Sequence, residues 1–159
     1  MVDRYGDPVL DRYRVLVGID LLDLAAAPAA EPLAGRILSR AEQSATAGDA
    51  TAVHAHLALK EAMVKAVGGR PPGFRWQGAM VDGTVARRRC PVFLAHLVRD
   101  AGHADTPQMF VRCRLDAGLS SWARSALAVD GTVELRCTGA WTMSGADELF
   151  AAVAIQPGG

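Results

Sequence analysis

Cysteine is scarce in this sequence, and its placement argues against two classes of small protein. Three cysteines are present, Cys90, Cys113 and Cys137, and no two of them form a C-x-x-C pair. An odd number of widely spaced cysteines does not indicate a disulfide framework, and it does not supply the paired ligands of a structural zinc site. We therefore expect free thiols and a cytoplasmic protein.

An excess of one charge sign and long apolar runs are also missing. Seventeen basic residues balance seventeen acidic ones, so bulk charge indicates neither a nucleic-acid partner nor a membrane partner. No apolar run approaches the length of a transmembrane helix, and the N-terminus lacks the pattern of a signal peptide. Residues 1–13 are polar and are expected to fray or to form an edge.

The sequence does contain enough apolar residues for one core. Half of its 159 residues are hydrophobic and 21% are charged, which argues against disorder. A chain of this length accommodates one domain with a real core more comfortably than two. We therefore expect residues 1–159 to form a single domain.

The densest run of helix-forming residues is residues 57–69, and a helix is predicted over residues 51–67. Helical winding places His54, Glu61 and Lys65 on one narrow stripe, with apolar residues over the opposite arc. Lys60 falls inside that apolar arc, where an ammonium group is costly unless it is paired or reaches solvent. Taken alone, the segment predicts a surface helix with a Glu61–Lys65 ion pair.

A buried strand is predicted for residues 14–19, which are rich in valine and isoleucine and run into Asp20. An aspartate at the end of a hydrophobic strand lies where strands deliver side chains to a site. It is equally suited to cap the next turn, so both interpretations stay open from the strand pattern alone.

The remaining segments predict a mixture of helices and strands. Residues 25–32 form an alanine- and proline-rich loop, and residues 33–45 have helical spacing. Asp49 is expected to cap the helix of residues 51–67, and Gly68 and Gly69 to end it. The later elements are a hairpin of residues 74–81 and 84–89, a helix over 91–101, a strand over 109–115, a helix over 120–128 capped near Ser120 or Ser121, and a final hairpin of 131–142 and 148–155.

Three separated pieces of the sequence resemble one family, in the right order. Residues 18–24, GIDLLDL, are similar to its motif G-I/L-D-I/L/V-x-E/D-I/L/V, and residues 36–42, RILSRAE, to R-I/L-L/F-S/T-x-x-E. Residues 57–66, LALKEAMVKA, resemble F/W-x-x-K-E-A-x-x-K-A, with Leu57 in place of the aromatic residue. The family is that of the holo-acyl-carrier-protein synthases, the short members of the 4′-phosphopantetheinyl transferase superfamily.

The resemblance implies an α+β fold, in which a twisted antiparallel sheet packs against a long central helix. It implies Mg²⁺-dependent transfer of the 4′-phosphopantetheine arm of coenzyme A to a serine of an acyl carrier protein or carrier domain, with release of 3′,5′-ADP. Such a phosphoryl transfer depends on positioning and charge neutralisation. A homo-oligomer, typically a trimer, and a role in fatty-acid or polyketide synthesis are also implied.

The same resemblance assigns roles to individual residues. Asp20 and Glu61 are the implied metal ligands and catalytic pair, with Glu61 also helping to remove the serine proton. Lys65 is expected to contact the coenzyme A phosphates, and Lys60 either does likewise or pairs with a carboxylate. His54 is a candidate contact for phosphate or adenine, with a solvent-facing histidine as the alternative.

Two loop arginines and two acidic residues complete the candidates. Arg70 and Arg75 either contact phosphate or are solvated charges of the loop. Asp23 and Glu42 match acidic positions of the family, and they either orient the site or have capping roles.

Departures from the family pattern keep other hypotheses open. No histidine lies in residues 142–145, where the family has S-x-x-H, and residues 25–28 read AAAP where the family has a basic segment that contacts the carrier protein. Residues 84–130 are longer than the compact family core needs, so an elaborated insertion is one interpretation. The alternatives are a noncatalytic binding or assembly module of a synthase, and an unrelated α+β domain with accidental matches.

Overall fold

The computed structural model describes residues 14–103 and 105–158, so the expectation for residues 1–13 lies outside the described residues. This part of the chain forms five strands and five α-helices. In chain order they are β1 (Leu16–Asp23), α1 (Ala30–Ile37), α2 (Arg40–Thr46), α3 (Ala50–Val67), β2 (Ala79–Thr84), α4 (Val92–Ala101), β3 (Met109–Leu115), α5 (Ala117–Leu127), β4 (Leu135–Met143) and β5 (Glu148–Pro157). Short 3₁₀ turns lie at Trp76–Gly78 and Arg87–Arg89.

The five strands form one sheet in the order β1-β5-β4-β3-β2, and every neighbouring pair is antiparallel. Strands β4 and β5 are the two arms of the final hairpin that the sequence predicts. Helix α3 packs against β1 and β5 on one face of the sheet. The predicted fold class, a twisted antiparallel sheet against a long central helix, is therefore confirmed.

Helix α3 is a core helix rather than the surface helix that its sequence predicts. Ala58, Leu59, Ala62 and Met63 have no exposed surface, because α1, α5 and the sheet surround the helix. Its ends are as predicted. The Asp49 side chain accepts a hydrogen bond from the Ala52 amide at 3.0 Å, and Gly68 adopts the left-handed conformation at φ 92°.

Glycine at position 18 lets β1 approach α3 closely. A Cβ atom on Gly18 would lie 1.8 Å from the carbonyl oxygen of Ala62, so no larger residue fits without moving the strand or the helix. Side chains alternate between the two faces of a strand, and Leu16 and Leu22 pack into the core that α3 shares. Asp20 lies on that same face of β1 and therefore faces α3.

The sheet is covered on its other face by α4. This helix packs against small and aromatic side chains of the central strands, namely Phe110, Ala140, Ala152 and Ala154. On the α3 face, α5 adds Leu119, Ala123 and Leu127 to the main core. None of the helices in the described residues is long and apolar enough to cross a membrane.

The helix predicted over residues 33–45 is wrong as a single element. The structure has two helices, α1 and α2, which Leu38 and Ser39 separate. The Ser39 side chain accepts from the Glu42 amide at 3.2 Å, and the Ser39 amide donates to the Glu42 carboxylate at 2.7 Å. This capping box starts a new helix in the middle of the apolar pattern.

The hairpin predicted around Asp82 and Gly83 is also wrong. Both residues lie within β2, whose partner is β3, and the register shifts between Val81 and Thr84. Gly83 has φ 113°, a conformation that suits an irregular strand as well as a turn. Since β3 also pairs with β4, the long stretch of residues 84–130 contributes a strand to the interior of the sheet.

Two smaller differences concern the ends of elements. Strand β1 continues past Asp20 to Asp23, so Asp20 lies within the strand rather than at its end. Asp116, and not Ser120 or Ser121, caps α5, since its side chain accepts from the Leu119 amide at 2.9 Å.

Candidate functional site

Asp20 and Lys65 join the edge strand to the central helix. The Lys65 ammonium donates to Asp20 Oδ1 at 2.6 Å. The Asp20 side chain is only 12% exposed, whereas that of Lys65 is 54% exposed. The predicted Glu61–Lys65 pair is thus replaced by a pair between strand and helix, because Gly18 brings β1 within reach of Lys65.

Glu61 lies one helical turn before Lys65 and faces the loop that follows α3. Its Oε1 atom is 3.7 Å from a guanidinium nitrogen of Arg70, and its side chain is 30% exposed. Residues four apart on a helix are surface neighbours. The two carboxylates of Asp20 and Glu61 are therefore both held beside this part of α3, each next to a cation.

Arg70 is stacked on an aromatic pair in the loop after α3. Its guanidinium carbon lies 4.7 Å from the ring centroid of Trp76 and 5.8 Å from that of Phe74. The two rings meet edge to face, at 5.0 Å and 80°. Stacking restricts the guanidinium plane while the side chain stays 56% exposed, so Arg70 is ready to bind an anion at low ordering cost.

Lys60 is fully buried and pairs with Glu42 at 3.0 Å. Its ammonium also donates to the carbonyl oxygens of Trp76 at 3.0 Å and Ala79. Burial lowers the pKa of Lys60 below its ordinary value, and the neighbouring Glu42 carboxylate opposes that shift. Two roles are expected for Lys60, and the structure shows the pairing with a carboxylate. The expected phosphate contact does not fit this structure, because Lys60 has no exposed surface.

The Lys60–Glu42 pair holds four segments together. Glu42 accepts hydrogen bonds from the amides of Ser39, at 2.7 Å, and Val81, at 2.9 Å. Together with the Lys60 contacts to the Trp76 turn, these bonds tie α2, α3 and the start of β2 to one another. Glu42 thus has the expected capping role and also pairs with Lys60, whose ammonium contacts the Trp76 carbonyl at the end of the loop that carries Arg70.

His54 and Asp23 have local roles in the structure. The Nε2 atom of half-buried His54 lies 2.8 Å from the Pro28 carbonyl oxygen. A carbonyl only accepts, so Nε2 carries the proton, and His54 fastens α3 to the loop after β1. The Asp23 carboxylate accepts from the Ala25 amide at 3.0 Å, a local contact in the turn that follows β1.

The carboxylates fit one kind of metal site. Asp20 and Glu61 supply hard oxygen ligands, and Mg²⁺ usually takes one or two protein carboxylates and completes its shell with water and substrate phosphate. Within residues 14–103 and 105–158, no group of three or more histidine, cysteine or acidic side chains is placed to hold a metal ion alone. The donor set therefore suits a magnesium ion that arrives with a phosphate ligand.

Sequence reasoning missed two parts of this arrangement. The first is the identity of the carboxylate that pairs with Lys60, which is Glu42. The S-x-x-E spacing of Ser39 and Glu42 is a capping-box signature that marks only the start of α2. The second is the aromatic support of Arg70. The nearness of Phe74 and Trp76 in the sequence is its only signal, because stacking depends on how the loop folds back.

Comparison with solved structures defines the class of fold. The chain is similar to the holo-acyl-carrier-protein synthase of Thermotoga maritima, with TM-score 0.52 and 16% identity, over 89% of this chain and 62% of that one. It is similar to a Chronobacterium ammoniagenes ACPS–CoA complex, with TM-score 0.51 and 14% identity, over 92% of this chain and 99% of that one. A Helicobacter pylori holo-acyl-carrier-protein synthase in complex with coenzyme A gives TM-score 0.49 at 14% identity, over 90% and 100% of the two chains.

These similarities confirm the sequence resemblance at the level of the fold. The chain has the 4′-phosphopantetheinyl transferase-like fold of the holo-acyl-carrier-protein synthases. No protein-family model matches the sequence, and no curated protein matches it either. The chain spans less than two thirds of the length of the Thermotoga maritima protein.

Proposed function

We propose that the chain transfers the 4′-phosphopantetheine arm of coenzyme A to a serine of an acyl carrier protein or carrier domain. One observation carries the proposal. Asp20 and Glu61, which come from two separate family-like motifs, both lie beside the turn of α3 that runs from Glu61 to the exposed Lys65, in a fold shared with holo-acyl-carrier-protein synthases. The Chronobacterium ammoniagenes neighbour is a coenzyme A complex, which supports coenzyme A as the ligand.

Lys65 and Arg70 provide the phosphate contacts in this proposal. Both are more than half exposed, and both now neutralise the carboxylates beside them. Phosphate oxygens form strong charge-assisted hydrogen bonds with ammonium and guanidinium groups. Binding of coenzyme A therefore draws Lys65 and Arg70 toward the phosphates and leaves Asp20 and Glu61 free to act as oxygen ligands.

The reaction exchanges a phosphoanhydride bond of coenzyme A for a phosphoester bond to serine. The serine oxygen forms a bond to the β-phosphorus of coenzyme A, the bond from that phosphorus to 3′,5′-ADP breaks, and the serine proton passes to the Glu61 carboxylate, directly or through water. Asp20 and Glu61 would hold Mg²⁺. The ion supplies neutralisation of the charge on the pyrophosphate oxygens.

Partner, assembly and location follow from the same proposal. The partner is a carrier protein of fatty-acid or polyketide synthesis, and the assembly is a homo-oligomer, with a trimer as the expected form. A cytoplasmic location agrees with the three free cysteines, all of them buried in the described residues.

The experiment that tests this function is a mass measurement. Apo carrier protein incubated with the chain, coenzyme A and Mg²⁺ should gain the mass of one phosphopantetheine arm. Glu61→Gln should abolish the gain without changing the thermal stability, whereas Glu31→Gln, in the exposed first turn of α1, should leave it intact. A failure to modify any carrier of a panel, with coenzyme A bound, would contradict the proposal.

That last result would favour a second function, a noncatalytic module that keeps the nucleotide site and serves in assembly. A specific observation favours it: residues 142–145 contain no histidine, and Ser144 there donates to Glu148 at 2.8 Å. The two functions share coenzyme A binding and differ in turnover.

A further inference from the structure

A groove rich in arginine lies on the sheet face opposite α3, away from Asp20 and Glu61. Its volume is about 880 Å³. It is bounded by the 3₁₀ turn Arg87–Arg89, the start of α4 and the outer face of β3 and β4. Its charged lining consists of five arginines and two carboxylates, namely Arg88, Arg89, Arg112, Arg114, Arg136, Asp82 and Glu134.

The alternation of the strands places the arginines on one face. On β3, Val111 and Cys113 point into the core beneath α3, so Arg112 and Arg114 point the other way. On β4, Cys137 faces the same core, and Arg136 therefore faces the groove. The ordinary alternation of β3 and β4 thus places Arg112, Arg114 and Arg136 on the groove side of the sheet.

Two of these arginines lie just past the end of the β3–β4 pairing. The antiparallel ladder ends at the pair of Cys113 and Cys137, and Arg114 and Arg136 are the next residues of the two strands. Both strands therefore bring a guanidinium group to the same end of the groove.

Internal carboxylates neutralise only part of this charge. Asp82 lies 3.3 Å from Arg112 and 3.5 Å from Arg114, so it serves two arginines at once. Among the described residues, Arg88, Arg89 and Arg136 have no carboxylate partner. The groove therefore keeps an excess of positive charge.

We propose that this arginine groove binds an acidic segment of a partner protein. Carboxylates of the segment would pair with Arg114, Arg136 and the Arg87–Arg89 turn, since guanidinium groups match carboxylates with two parallel hydrogen bonds. Val85 and Pro91 also line the groove and offer contacts for apolar side chains between the acidic ones. An amphipathic acidic segment supplies both the carboxylates and the apolar side chains.

Exposure and charge favour a protein segment over other anions. The Arg112 and Arg114 side chains are 63% and 61% exposed, whereas a small-molecule site buries most of its ligand. Asp82 and Glu134 within the lining would repel the continuous phosphates of a nucleic acid, and the whole chain carries no net charge. A polypeptide can place its carboxylates between the two acidic residues of the groove.

The groove site is independent of the proposed transfer reaction. Asp20 and Lys65 lie on the α3 face of the sheet, so a partner in the groove leaves the coenzyme A site open. The groove would attach the chain to a larger assembly while the coenzyme A site on the α3 face stays accessible. Its test therefore does not depend on transferase activity.

The test uses a fluorescein-labelled helical peptide with glutamate and leucine on neighbouring faces, and fluorescence anisotropy with the full chain. We expect saturable binding that weakens with salt, and a loss of at least about tenfold in affinity for Arg136→Glu. Arg40→Glu, an equal charge change on exposed α2, should bind as the parent does. Replacing the peptide's glutamates with glutamine should abolish binding.

Two further measurements show whether the Arg136 variant is folded and keeps its coenzyme A site. Arg136→Glu should melt at about the same temperature as the parent, because Arg136 is exposed and has no carboxylate partner among the described residues. It should also bind coenzyme A as the parent does. The proposal is overturned if the peptide does not bind, if Arg136→Glu and Arg40→Glu weaken binding equally, or if inorganic pyrophosphate or a single-stranded oligonucleotide displaces the peptide at lower concentration than an unlabelled copy does.

Discussion

The Lys65 ammonium donates to Asp20 Oδ1 at 2.6 Å, and this contact joins the edge strand β1 to the central helix α3. It exists because Gly18, two residues before Asp20, allows the strand backbone to touch the helix backbone at Ala62. The glycine and the aspartate of the first motif thus act together. Gly18 lets the strand lie against the helix, and Asp20 then reaches the helix with its carboxylate. A lysine of the third motif is the partner.

The first prediction concerns Lys65→Met. Lys65 is 54% exposed, so its pair with Asp20 contributes little to folding, at most about 1 kcal/mol. The loss of a phosphate contact should instead weaken coenzyme A binding by about tenfold or more, the effect of about 1.4 kcal/mol. Isothermal titration with coenzyme A measures the affinity, and thermal unfolding measures the stability. Unchanged affinity would remove Lys65 from the phosphate site.

The second prediction concerns Gly18→Ala. The new Cβ atom would lie 1.8 Å from the Ala62 carbonyl oxygen, so strand or helix must shift, at a cost of about 1–3 kcal/mol or more. Gly35→Ala is the matched control, since nothing lies within 4 Å of its added Cβ and it sits inside α1. The control should stabilise the chain by about 0.5–1 kcal/mol. Equal denaturation midpoints for the two variants would contradict the close packing of β1 on α3.

The third prediction concerns the buried pair of Lys60 and Glu42. Lys60→Met leaves the Glu42 carboxylate, which is 2% exposed, without its cation and should cost about 3–5 kcal/mol. Glu42→Gln combined with Lys60→Met should cost less than the sum of the two single changes, because no charge is then left alone. Urea unfolding of the four proteins gives the coupling energy, and simple additivity would show that the two side chains act separately.

The sequence predicted the parts of the fold that depend on local pattern. Asp49 and Gly68 cap α3 as expected, and the predicted final hairpin is formed by β4 and β5. The motifs around Asp20 and Glu61 also predicted the class of fold. These features depend on neighbours in the chain, which a single sequence displays directly.

Contacts between distant segments could not be predicted in the same way. Lys60 and Lys65 belong to the same sequence motif. Lys60 is nevertheless buried against Glu42, whereas Lys65 is exposed beside Asp20. Only the packing of α2 and β2 onto α3 separates the two lysines. Likewise, the Asp82-Gly83 dipeptide favours a turn, and the pairing of β2 with β3 overrides that preference.

The central claim is that Asp20 and Glu61 form a magnesium-dependent coenzyme A site on α3. The most direct test is isothermal titration of coenzyme A with and without Mg²⁺, for the parent chain, Asp20→Asn and Asp49→Asn. The account predicts that Mg²⁺ tightens binding by about tenfold or more in the parent and in Asp49→Asn, whose changed residue only caps a helix. It predicts no such gain in Asp20→Asn. Coenzyme A binding that is absent, or that Mg²⁺ affects equally in all three proteins, would contradict it.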